Sequence, residues 1–590
     1  MPAPANIRPQ ARRKGRFRWQ AGLILVAAAI VYLVGNESVG LWDRDEPRYA
    51  QTSRQMLQSG DWVVPHYLSD IRTAKPIFIY WCQASAMKIF SDTAFAARLP
   101  SVLAMLLTLA FLTLVLPPQI GRRRTALTMF ILATSALAMA AAKMCLTDAV
   151  LLLWVTIAQA CLFAIIHRRG TWPTWIVLGI AVGFAGLTKG PVIVGVMGTT
   201  IVVLIALWWN DRRLQRHRSE AANAPRAVSG AEDSNGLIRD VASGKTVAPG
   251  FLLALAIVAA ICVPWLILIH QRAPEFLPRI IGHDVVARMS SGLEGHKGPP
   301  GYYLLTIWGT YFPWSLFLPA AIVYGWTHRR NPLTRFALAS VVGPWIMFEI
   351  FQTKLVHYML PTFPPLALLT AMALATESAR LRRQRKLRLP RSPGDSIFLA
   401  VIFCWCGFVG LVTLALMLFT ILKLPSSFAL TAAAVSIALI GAEMARATFV
   451  AWRARRPFYA AGAMGVGMLI LVGVLYGAWI PNISALHTSQ RVAATLRAER
   501  ATTPGSVIMI DYKEPSLAFY QGGTIREESN NSFLRQTDPL LWPKWIVMTR
   551  RIWDDQPASI RERLDVVDFV PGWWYANKGR SVEVLIVRKR

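Results

Sequence analysis

A dense polar cluster follows the first apolar segment of the chain, at the point where a membrane helix would return to water. The cluster is Asp45-Glu46-Pro47-Arg48-Tyr49. Carboxylates and an arginine are costly to desolvate at a membrane surface unless they are paired or used, so this position predicts a functional site. A carboxylate suits general-base work on a substrate, and cations suit a phosphate leaving group.

Further polar side chains lie beside the ends of other apolar segments. If these segments cross a membrane, the polar side chains come to one surface together with the Asp45 cluster. Carboxylates, cations and neighbouring apolar helices are together typical of chemistry on a lipid-linked phosphate. The residues of this layer are Lys75, Lys143, Asp148, Lys189, Glu349, Lys354, His357 and Tyr358.

The composition is that of an integral membrane protein. Hydrophobic residues make up 54% of the 590 residues and charged residues only 16%, which is too apolar for a soluble enzyme of this length. The net charge of +31 would suggest nucleic acid in a soluble chain, but the basic residues cluster in short loops beside the apolar segments. That pattern indicates membrane topology and contact with membrane lipids, not a nucleic-acid partner. The six cysteines lie in or beside apolar segments, which predicts core packing.

Apolar stretches long enough to cross a bilayer, roughly 17 to 25 residues each, number about thirteen. The first follows a basic arm and lacks a convincing cleavage site, so we interpret it as an uncleaved helix. The expected spans are 20–36, 99–116, 126–142, 148–166, 173–188, 191–209, 250–270, 302–326, 333–351, 355–376, 396–418, 427–446 and 459–480.

Basic clusters decide which end of each span faces the cytoplasm. With the N-terminal arm inside, the cytoplasmic clusters are 122–124, 167–169, 212–218, 328–330, 380–388 and 453–456. An odd number of spans then places loop 36–98 and everything after residue 480 on the outer face. The expected location is the bacterial cytoplasmic (inner) membrane, with a cytoplasmic N-terminus and a periplasmic C-terminal domain.

Two domains are expected. Residues 1–480 would form the transmembrane domain, with an outer loop, 36–98, that carries amphipathic helices and a disordered cytoplasmic loop, 211–249. Residues 481–590 predict a small periplasmic α/β domain. Its expected elements are a helix at 490–500 and strands at 506–512, 545–549, 565–570 and 582–587.

At these residues the chain resembles the lipid-linked-sugar glycosyltransferases of the GT-C fold. It is most similar to the bacterial aminoarabinose transferases that modify lipid A, which are relatives of the protein O-mannosyltransferases. The resemblance covers most of the membrane part and the order of spans followed by an outer α/β tail. The matching stretches are 45–50 with 54–62, Lys75-Pro76, 146–149, 187–191 and 354–361.

The resemblance implies an inverting transfer of a sugar, an aminoarabinose-like pentose or a hexose, from a polyprenyl-phosphate donor. The acceptor would be lipid A or a related envelope molecule at the outer face of the membrane. Asp45 would deprotonate or orient the acceptor, and Asp148 would be the second carboxylate of the site. The implied contacts to the donor phosphate and lipid are Arg48, Tyr49, Lys75, Lys354 and Tyr358, with Glu46 and Lys189 as additional candidates.

One departure from the family pattern concerns a metal site. Similar proteins often carry a Glu immediately before the Lys-Pro pair, as part of a metal site completed by a His from the second outer loop. This chain has Ala74 there, so His283 would be a metal ligand without that carboxylate, which weakens the case for zinc. The same departure weakens the inference that this chain shares the acceptor of the aminoarabinose enzymes.

Simpler roles stay open for several of these residues. Asp45 would be a solvated carboxylate paired with Arg48, and Asp148 would cap its helix. Lys189 would snorkel at a turn between two spans. Lys354 and Tyr358, four residues apart on one helical face, would anchor that helix at the interface.

Three other functions are weighed against lipid A modification. Within the enzyme class, the alternative is transfer to protein Ser/Thr hydroxyls or to another envelope polymer. A secondary transporter would place ionisable residues near the bilayer midplane and show repeated halves, and the sequence shows neither. A sensor that used only the α/β tail would leave the polar layer contributed by several spans unexplained.

Overall fold

The computed structural model describes residues 7–41, 45–167, 170–221, 247–282, 298–425 and 427–590. The architecture is a bundle of long helices followed by a C-terminal five-stranded sheet. The expectation of a mostly helical membrane fold with a C-terminal α/β unit is therefore confirmed. His283, the candidate metal ligand, lies outside the described residues.

The first part of the chain builds the platform that carries the Asp45 cluster. Its elements are α1 (Ile7–Leu33), α2 (Asp45–Ser59), β1 (His66–Tyr67), β2 (Asp70–Ile71) and α3 (Phe78–Phe90). Helix α2 starts with the carboxylates of Asp45 and Glu46, which interact favourably with the helix dipole. It ends before Gly60, whose φ of +72° suits the residue that follows a helix. Helices α2 and α3 pack against each other.

Among the described residues, the bundle continues with fourteen α-helices and with two 3₁₀ turns near the site, at Trp314–Phe317 and Val356–Thr362. Apolar side chains cover the outward faces of its long helices, as expected for helices in lipid. The helices are α4 (Ala94–Val115), α5 (Pro117–Ile120), α6 (Arg122–Ala133), α7 (Ala136–Ala142), α8 (Thr147–Ile166), α9 (Trp172–Lys189), α10 (Val192–Ala221), α11 (Val247–Arg272), α12 (Phe276–Arg279), α13 (Tyr302–Thr310), α14 (Leu318–Thr327), α15 (Pro332–Ile350), α16 (Phe363–Lys386) and α17 (Pro393–Lys423).

Two further helices, α18 (Phe428–Arg453) and α19 (Pro457–Val474), complete the bundle. In the described part of the chain, nine helices are long and apolar enough to cross a membrane, or ten if α6 and α7 form one bent span. The remaining expected spans coincide with α1, with α9 and with the broken run from α13 to α14. Helix length and composition therefore support fewer spans than the sequence pattern, because these regions are shorter, more polar or interrupted.

The bend of 68° between α6 and α7 has an identifiable cause. The hydroxyls of Thr134 and Ser135 donate to carbonyls four residues earlier, a contact that bends helices. The N–H of Ala136 then donates to the carbonyl of Phe312 at 2.8 Å instead of to its own helix. A neighbouring segment of the bundle thus breaks this expected span.

The six cysteines do not all lie in the buried environment that the sequence predicts. Cys145 and Cys161 are buried, in agreement with the expected core packing, and all six are free. Cys404 is exposed on α17, so the expectation of core packing is wrong for that residue. A cysteine behaves as a small hydrophobic residue, so it is also compatible with a helix face that contacts lipid.

Ion pairs join the helix ends that carry the basic clusters. Asp211 is buried and accepts from Arg329 at 3.0 Å and from Arg335 at 3.1 Å. The expected disordered loop 211–249 is helical at both ends, because α10 continues to Ala221 and α11 begins at Val247. Its middle part, 222–246, lies outside the described residues.

The C-terminal unit is an α/β sheet whose strand order is β4-β3-β5-β7-β6. Strands β4, β3 and β5 are parallel, whereas β7 is antiparallel to both β5 and β6. The elements are α20 (Thr488–Ala498), β3 (Val507–Ile510), α21 (Pro515–Gln521), β4 (Arg526–Glu528), α22 (Phe533–Gln536), β5 (Trp545–Thr549), α23 (Arg550–Asp554), α24 (Ala558–Arg561), β6 (Leu564–Trp574) and β7 (Arg580–Lys589).

Four of these strands occupy the regions where the sequence predicts strands. Strands β3 and β5 are buried along their whole length, which explains their continuous apolar sequence. The edge strand β4 was not expected, because its three residues are polar and give no alternating pattern.

The sheet unit lies at the same end of the bundle as the start of α2. Helix α21 packs against α2, and Tyr67 of the platform donates to Glu527 of the edge strand at 3.0 Å. Helix α10 begins next to Lys189, and Asp211 lies about five helical turns further along it. The basic clusters joined by Asp211 and the sheet unit thus occupy opposite ends of the bundle.

Candidate active site

A cavity of about 590 Å³ opens between the turn before α3 and the helices α8, α9, α10, α11, α12 and α15, within the roughly 300–1,000 Å³ range of small-molecule sites. One end is polar, with the side chains of Lys75, Asp148, Lys189 and Tyr358. The rest of the wall is apolar and includes Trp265, Leu266, Phe276, Leu277, Ile280 and Phe351. A molecule with a charged head and a hydrocarbon tail fits this division.

The polar end is organised around an ion pair between Asp148 and Lys189. The Lys189 ammonium donates to Asp148 Oδ1 at 2.6 Å, and both side chains are at most 10% exposed. Asp148 is the second residue of α8, and Lys189 is the last residue of α9. Asp148 does not cap its helix, because α8 begins after Leu146 without a side-chain cap.

His357 and Tyr358 complete this end of the cavity. His357 Nε2 lies 3.9 Å from the second oxygen of Asp148, so Asp148 stands between an ammonium and an imidazole. The Lys189 ammonium also lies 4.9 Å from the centre of the Tyr358 ring, a cation–π contact. The sequence pattern placed His357 in the polar layer but gave it no role in the site.

Lys75 lines the same cavity from the turn before α3. Its ammonium donates to the carbonyl of Ala74 at 2.5 Å. Its charge also acts on both Asp148 and His357. The structure therefore brings together Lys75, Asp148, Lys189 and Tyr358, four of the predicted site residues.

Asp45 stands beside this cluster, outside the residues that line the cavity. Its charge acts on His357, and its side chain is 48% exposed. Among the described residues, the cation that pairs with it is Arg72, whose guanidinium lies 3.7 Å from the carboxylate. The sequence suggested Arg48 as the partner of Asp45, whereas the structure provides Arg72, which lies far along the chain and carried no local signal.

Glu46 has a structural role, as the partner of Arg98 in a buried ion pair. It is fully buried and forms a bidentate pair with Arg98, at 2.7 and 2.8 Å. It also accepts the N–H of Cys145 at 3.0 Å. Arg98 in turn donates to the carbonyls of Asn36, Val39 and Gly40. This network fixes the first turn of α2, next to Asp45.

Arg48 and Tyr49 lie near Asp45 but not among the cavity-lining residues. The Tyr49 ring stacks on Tyr80 with centres 5.6 Å apart, and Arg72 lies 5.1 Å from the Tyr49 ring centre. Arg48 is half-buried. Both residues belong to the platform around Asp45.

Lys354 does not reach the cavity. Its ammonium donates to the carbonyl of Glu349 and lies 3.5 Å from the Glu349 carboxylate, with only 4% of the side chain exposed. The expectation that Lys354 and Tyr358 share one helical face is wrong. Tyr358 lies in a 3₁₀ turn that begins at Val356, and Lys354 lies before this turn. The two side chains therefore point to different surroundings.

A metal site does not fit the described residues. No group of three or more His, Cys, Asp or Glu side chains able to hold a metal occurs among them. Ala74 offers no carboxylate beside Lys75, and the Lys75 ammonium occupies its carbonyl. The reaction steps proposed below are therefore assigned to side chains only.

Comparison with known proteins identifies sequences that are similar to this chain. A family model for dolichyl-phosphate-mannose-protein mannosyltransferases matches residues 21–278. The undecaprenyl phosphate-alpha-4-amino-4-deoxy-L-arabinose arabinosyl transferase of Yersinia enterocolitica is 29% identical over 399 residues, which are 66% of this chain and 66% of that protein. The enzyme of the same name from Aeromonas hydrophila is 31% identical over 396 residues, 66% of this chain and 64% of that protein.

The fold is similar to that of a solved structure. The crystal structure of ArnT from Cupriavidus metallidurans bound to undecaprenyl phosphate gives a TM-score of 0.69 at 20% identity, covering 95% of this chain and 97% of that one. The chain therefore has the fold of this structure. Its bundle of long apolar helices is that of a multi-pass membrane protein.

The sequence matches do not span the whole length of these relatives. The chain covers 66% of the Yersinia protein and 56% of a second arabinosyl transferase from Pseudomonas fluorescens. The family model ends at residue 278. The matched regions include Asp45, Lys75, Asp148 and Lys189, so the residues of the cavity's polar end come largely from the part that the family model covers.

Proposed function

We propose that this protein is an inverting glycosyltransferase of the GT-C type. It moves an aminoarabinose-like pentose or a hexose from a polyprenyl-phosphate donor to lipid A or a related envelope acceptor. The observation that carries the proposal is the division of the cavity into a cationic end and an apolar wall, with Asp45 beside the cationic end. A polyprenyl phosphate has the same division, with an anionic head and a hydrocarbon tail.

The cations of the cavity would act on the phosphate as it leaves. When the bond between the anomeric carbon and the phosphate oxygen breaks, negative charge grows on the lipid phosphate. Lys75 and Lys189 both line the cavity, and fixed cations stabilise such charge more in the transition state than in the ground state. Tyr358 would add a hydroxyl to the same group.

Asp45 would act on the acceptor. An acceptor hydroxyl gives its proton to Asp45 while its oxygen bonds to the anomeric carbon, on the face opposite to the departing phosphate. An acceptor phosphate already carries negative charge, so in that case Asp45 would orient the acceptor. The contact with Arg72 at 3.7 Å supports a fixed position of the Asp45 side chain.

Asp148 would position Lys189 and bind the sugar. One of its oxygens accepts from Lys189, and the other faces His357 at 3.9 Å. The second oxygen is thus placed to accept a hydrogen bond from a hydroxyl or amino group of the sugar. This role keeps Asp148 as the second carboxylate of the site.

The remaining candidates would support the donor site. Arg48 and Tyr49 would contact the donor phosphate or the acceptor from the platform around Asp45. Lys354 would hold the segment before Tyr358 through Glu349. Glu46 would hold the first turn of α2 through Arg98.

The reaction would take place at the outer face of the cytoplasmic membrane. The basic clusters lie at the end of the bundle opposite to the cavity's polar end, and basic loops favour the cytoplasmic side. The N-terminus would then be cytoplasmic. Residues 481–590, with their sheet, would form a periplasmic domain beside the acceptor.

A second acceptor class has a specific observation in its favour. The family model that matches residues 21–278 describes transferases that act on protein, so transfer to protein Ser/Thr hydroxyls is the alternative. The cavity for the donor would serve both reactions. Only the acceptor side, near Asp45, would differ.

Transfer by the purified protein tests the proposal. Undecaprenyl phosphate carrying aminoarabinose is incubated with lipid A, and in parallel with a Ser/Thr-rich peptide, and products are identified by mass spectrometry. We expect a pentose to be added to lipid A and lost with Asp45→Asn. Sugar on the peptide alone would favour the protein acceptor. No transfer from any polyprenyl-phosphate sugar, by folded protein, would refute the proposed function.

A further inference from the structure

A short helix of the C-terminal unit, α21, packs directly against α2, the helix that begins with Asp45. Phe519 of α21 is only 2% exposed. It belongs to one apolar cluster with Leu41, Ala50 and Met87 from the platform. The contact therefore lies within a core shared by the two parts of the chain.

Two neighbouring residues of α21 hold the chain on both sides of Asp45. The N–H of Leu41, before Asp45, donates to the Tyr520 hydroxyl at 2.7 Å. The guanidinium of Arg54, after Asp45, donates to the carbonyl of Phe519 and lies 3.9 Å from the centre of its ring. Arg54 is itself buried and paired with Asp92 at 2.8 Å.

The loop after α21 also approaches α2 closely. A Cβ atom at Gly523 would lie 2.1 Å from Gln51 Nε2 of α2, so a larger residue would displace the fully buried Gln51 side chain. Gly523 has a φ of +78°. Gly505 has a nearly equal φ of +75°, but a Cβ atom there would have no neighbour within 4 Å.

We propose that α21 with Gly523 is a positioning element that sets the place of Asp45 relative to the cavity. The inference rests on the proposed function, because it assigns Asp45 to the acceptor. The two lysines that line the donor cavity lie on other elements, Lys75 before α3 and Lys189 at the end of α9, and only the Arg48 and Tyr49 contacts would move with α2. A displacement of α2 would therefore lower the turnover number more than it weakens donor binding.

A matched pair of glycine variants separates position from backbone strain. Gly523→Ala and Gly505→Ala impose the same unfavourable φ on alanine, but only the first displaces a side chain of α2, that of Gln51. We expect Gly523→Ala to lower kcat at least about tenfold, because small misplacements of a reacting group can cost up to about a hundredfold. KM for the polyprenyl-phosphate donor should change less than kcat. Gly505→Ala should keep kcat within about twofold of wild type.

A second pair removes one hydrogen bond without adding atoms. Tyr520→Phe loses the bond to Leu41, whereas Tyr575→Phe loses a tyrosine bond to the carbonyl of Leu486 within the C-terminal unit. Burial raises the pKa of Tyr520 to about 12, so this hydroxyl stays neutral over the assay range. We expect kcat to fall about fivefold for Tyr520→Phe, the size of one lost hydrogen bond, and not for Tyr575→Phe.

Hydrogen exchange of the peptide 45–59 provides a readout that does not depend on activity. Exchange in α2 should be faster in Gly523→Ala and Tyr520→Phe than in wild type, and unchanged in the two control variants. Equal exchange and equal kcat in all four variants would overturn the proposal, as would equal losses in test and control variants. If the wild type transfers no sugar, the proposed function fails, and the exchange data alone still decide whether α21 positions α2.

Discussion

At the scale of single residues, the candidate site is a set of charges that satisfy one another only in part. Asp148 accepts from Lys189 at 2.6 Å and faces His357 at 3.9 Å. Asp45 is half exposed and lies 3.7 Å from the guanidinium of Arg72. Glu46, next in sequence, is fully buried and bidentate with Arg98. Adjacent carboxylates thus lie in different surroundings, one half exposed and one committed to a buried ion pair.

The role of Asp45 is testable by removing its charge. Asp45→Asn should abolish transfer, because the amide keeps the shape of the side chain but cannot accept a proton. Binding of undecaprenyl phosphate, measured by quenching of intrinsic tryptophan fluorescence, should persist. Asp70→Asn, which changes an exposed aspartate of the same platform, is the control and should keep full activity. Near-normal turnover by Asp45→Asn would end the assignment.

Lys75 is expected to act through charge at the departing phosphate. A contact that strengthens in the transition state is worth about 2–4 kcal/mol, or roughly a hundredfold in rate. Lys75→Ala should therefore reduce turnover far more than the amount of folded protein, and Lys75→Arg should recover only part, because its planar fork differs from a compact ammonium. The control is Lys88→Ala, at an exposed lysine of α3. If Lys75→Ala kept about half of the wild-type rate at saturating donor, the effect would be excluded.

At the scale of elements, the site depends on helix ends that meet. The start of α8 supplies Asp148, the end of α9 supplies Lys189, and the 3₁₀ turn before α16 supplies Tyr358. Lys189 is the last residue before Gly190, whose φ of +62° lets the chain turn into α10. The Lys189 ammonium is therefore held at the junction of α9 and α10.

The Asp148–Lys189 pair should couple stability and activity. Asp148→Asn leaves the buried Lys189 ammonium without its partner, and breaking one side of a buried pair costs about 3–5 kcal/mol. We expect a clear fall in the thermal unfolding temperature in detergent. The double variant Asp148→Asn with Lys189→Met should regain much of that stability, because no lone charge remains buried, yet stay inactive. A double variant with normal transfer would remove the pair from the catalytic site.

At the scale of the whole molecule, the sheet unit and the cavity's polar end share one end of the bundle, and the basic clusters share the other. Tyr67 with Glu527 and Leu41 with Tyr520 join the sheet unit to the platform. Asp211 with Arg329 and Arg335 joins helix ends on the basic side. The two ends of the bundle thus differ in character, which suits the proposed transferase, because it would meet its acceptor on one side only.

The orientation of this axis is testable with single cysteines. On a background without native cysteines, Ser529→Cys in the sheet unit should react in intact cells, permeabilised at the outer membrane only, with a membrane-impermeant thiol reagent. Arg385→Cys, at an exposed position of a basic cluster, should react only after the inner membrane is opened. The reverse pattern would invert the proposed topology, and equal labelling of both would contradict an intact barrier between them.

Much of the site could be predicted from residue types. Ionisable side chains beside apolar segments are expensive unless they are used, and this argument selected Asp45, Lys75, Asp148, Lys189 and Tyr358. It also selected Lys354, whose ammonium is taken by Glu349. The same pattern cannot separate the two outcomes, because a lysine at a membrane surface has one sequence signature whether it faces a substrate or a neighbouring carboxylate.

The sequence by itself determined the membrane-embedded class, the helical segments, the residue types of the site and the basic ends of the bundle. These properties depend on local composition, because a bilayer requires long apolar helices and basic residues mark their cytoplasmic ends. Only the tertiary structure decided that Arg72 faces Asp45, that Arg98 neutralises Glu46 and that α21 packs on α2. These contacts join residues far apart in the chain, and their geometry follows from how the helices and the sheet pack, which no local pattern specifies.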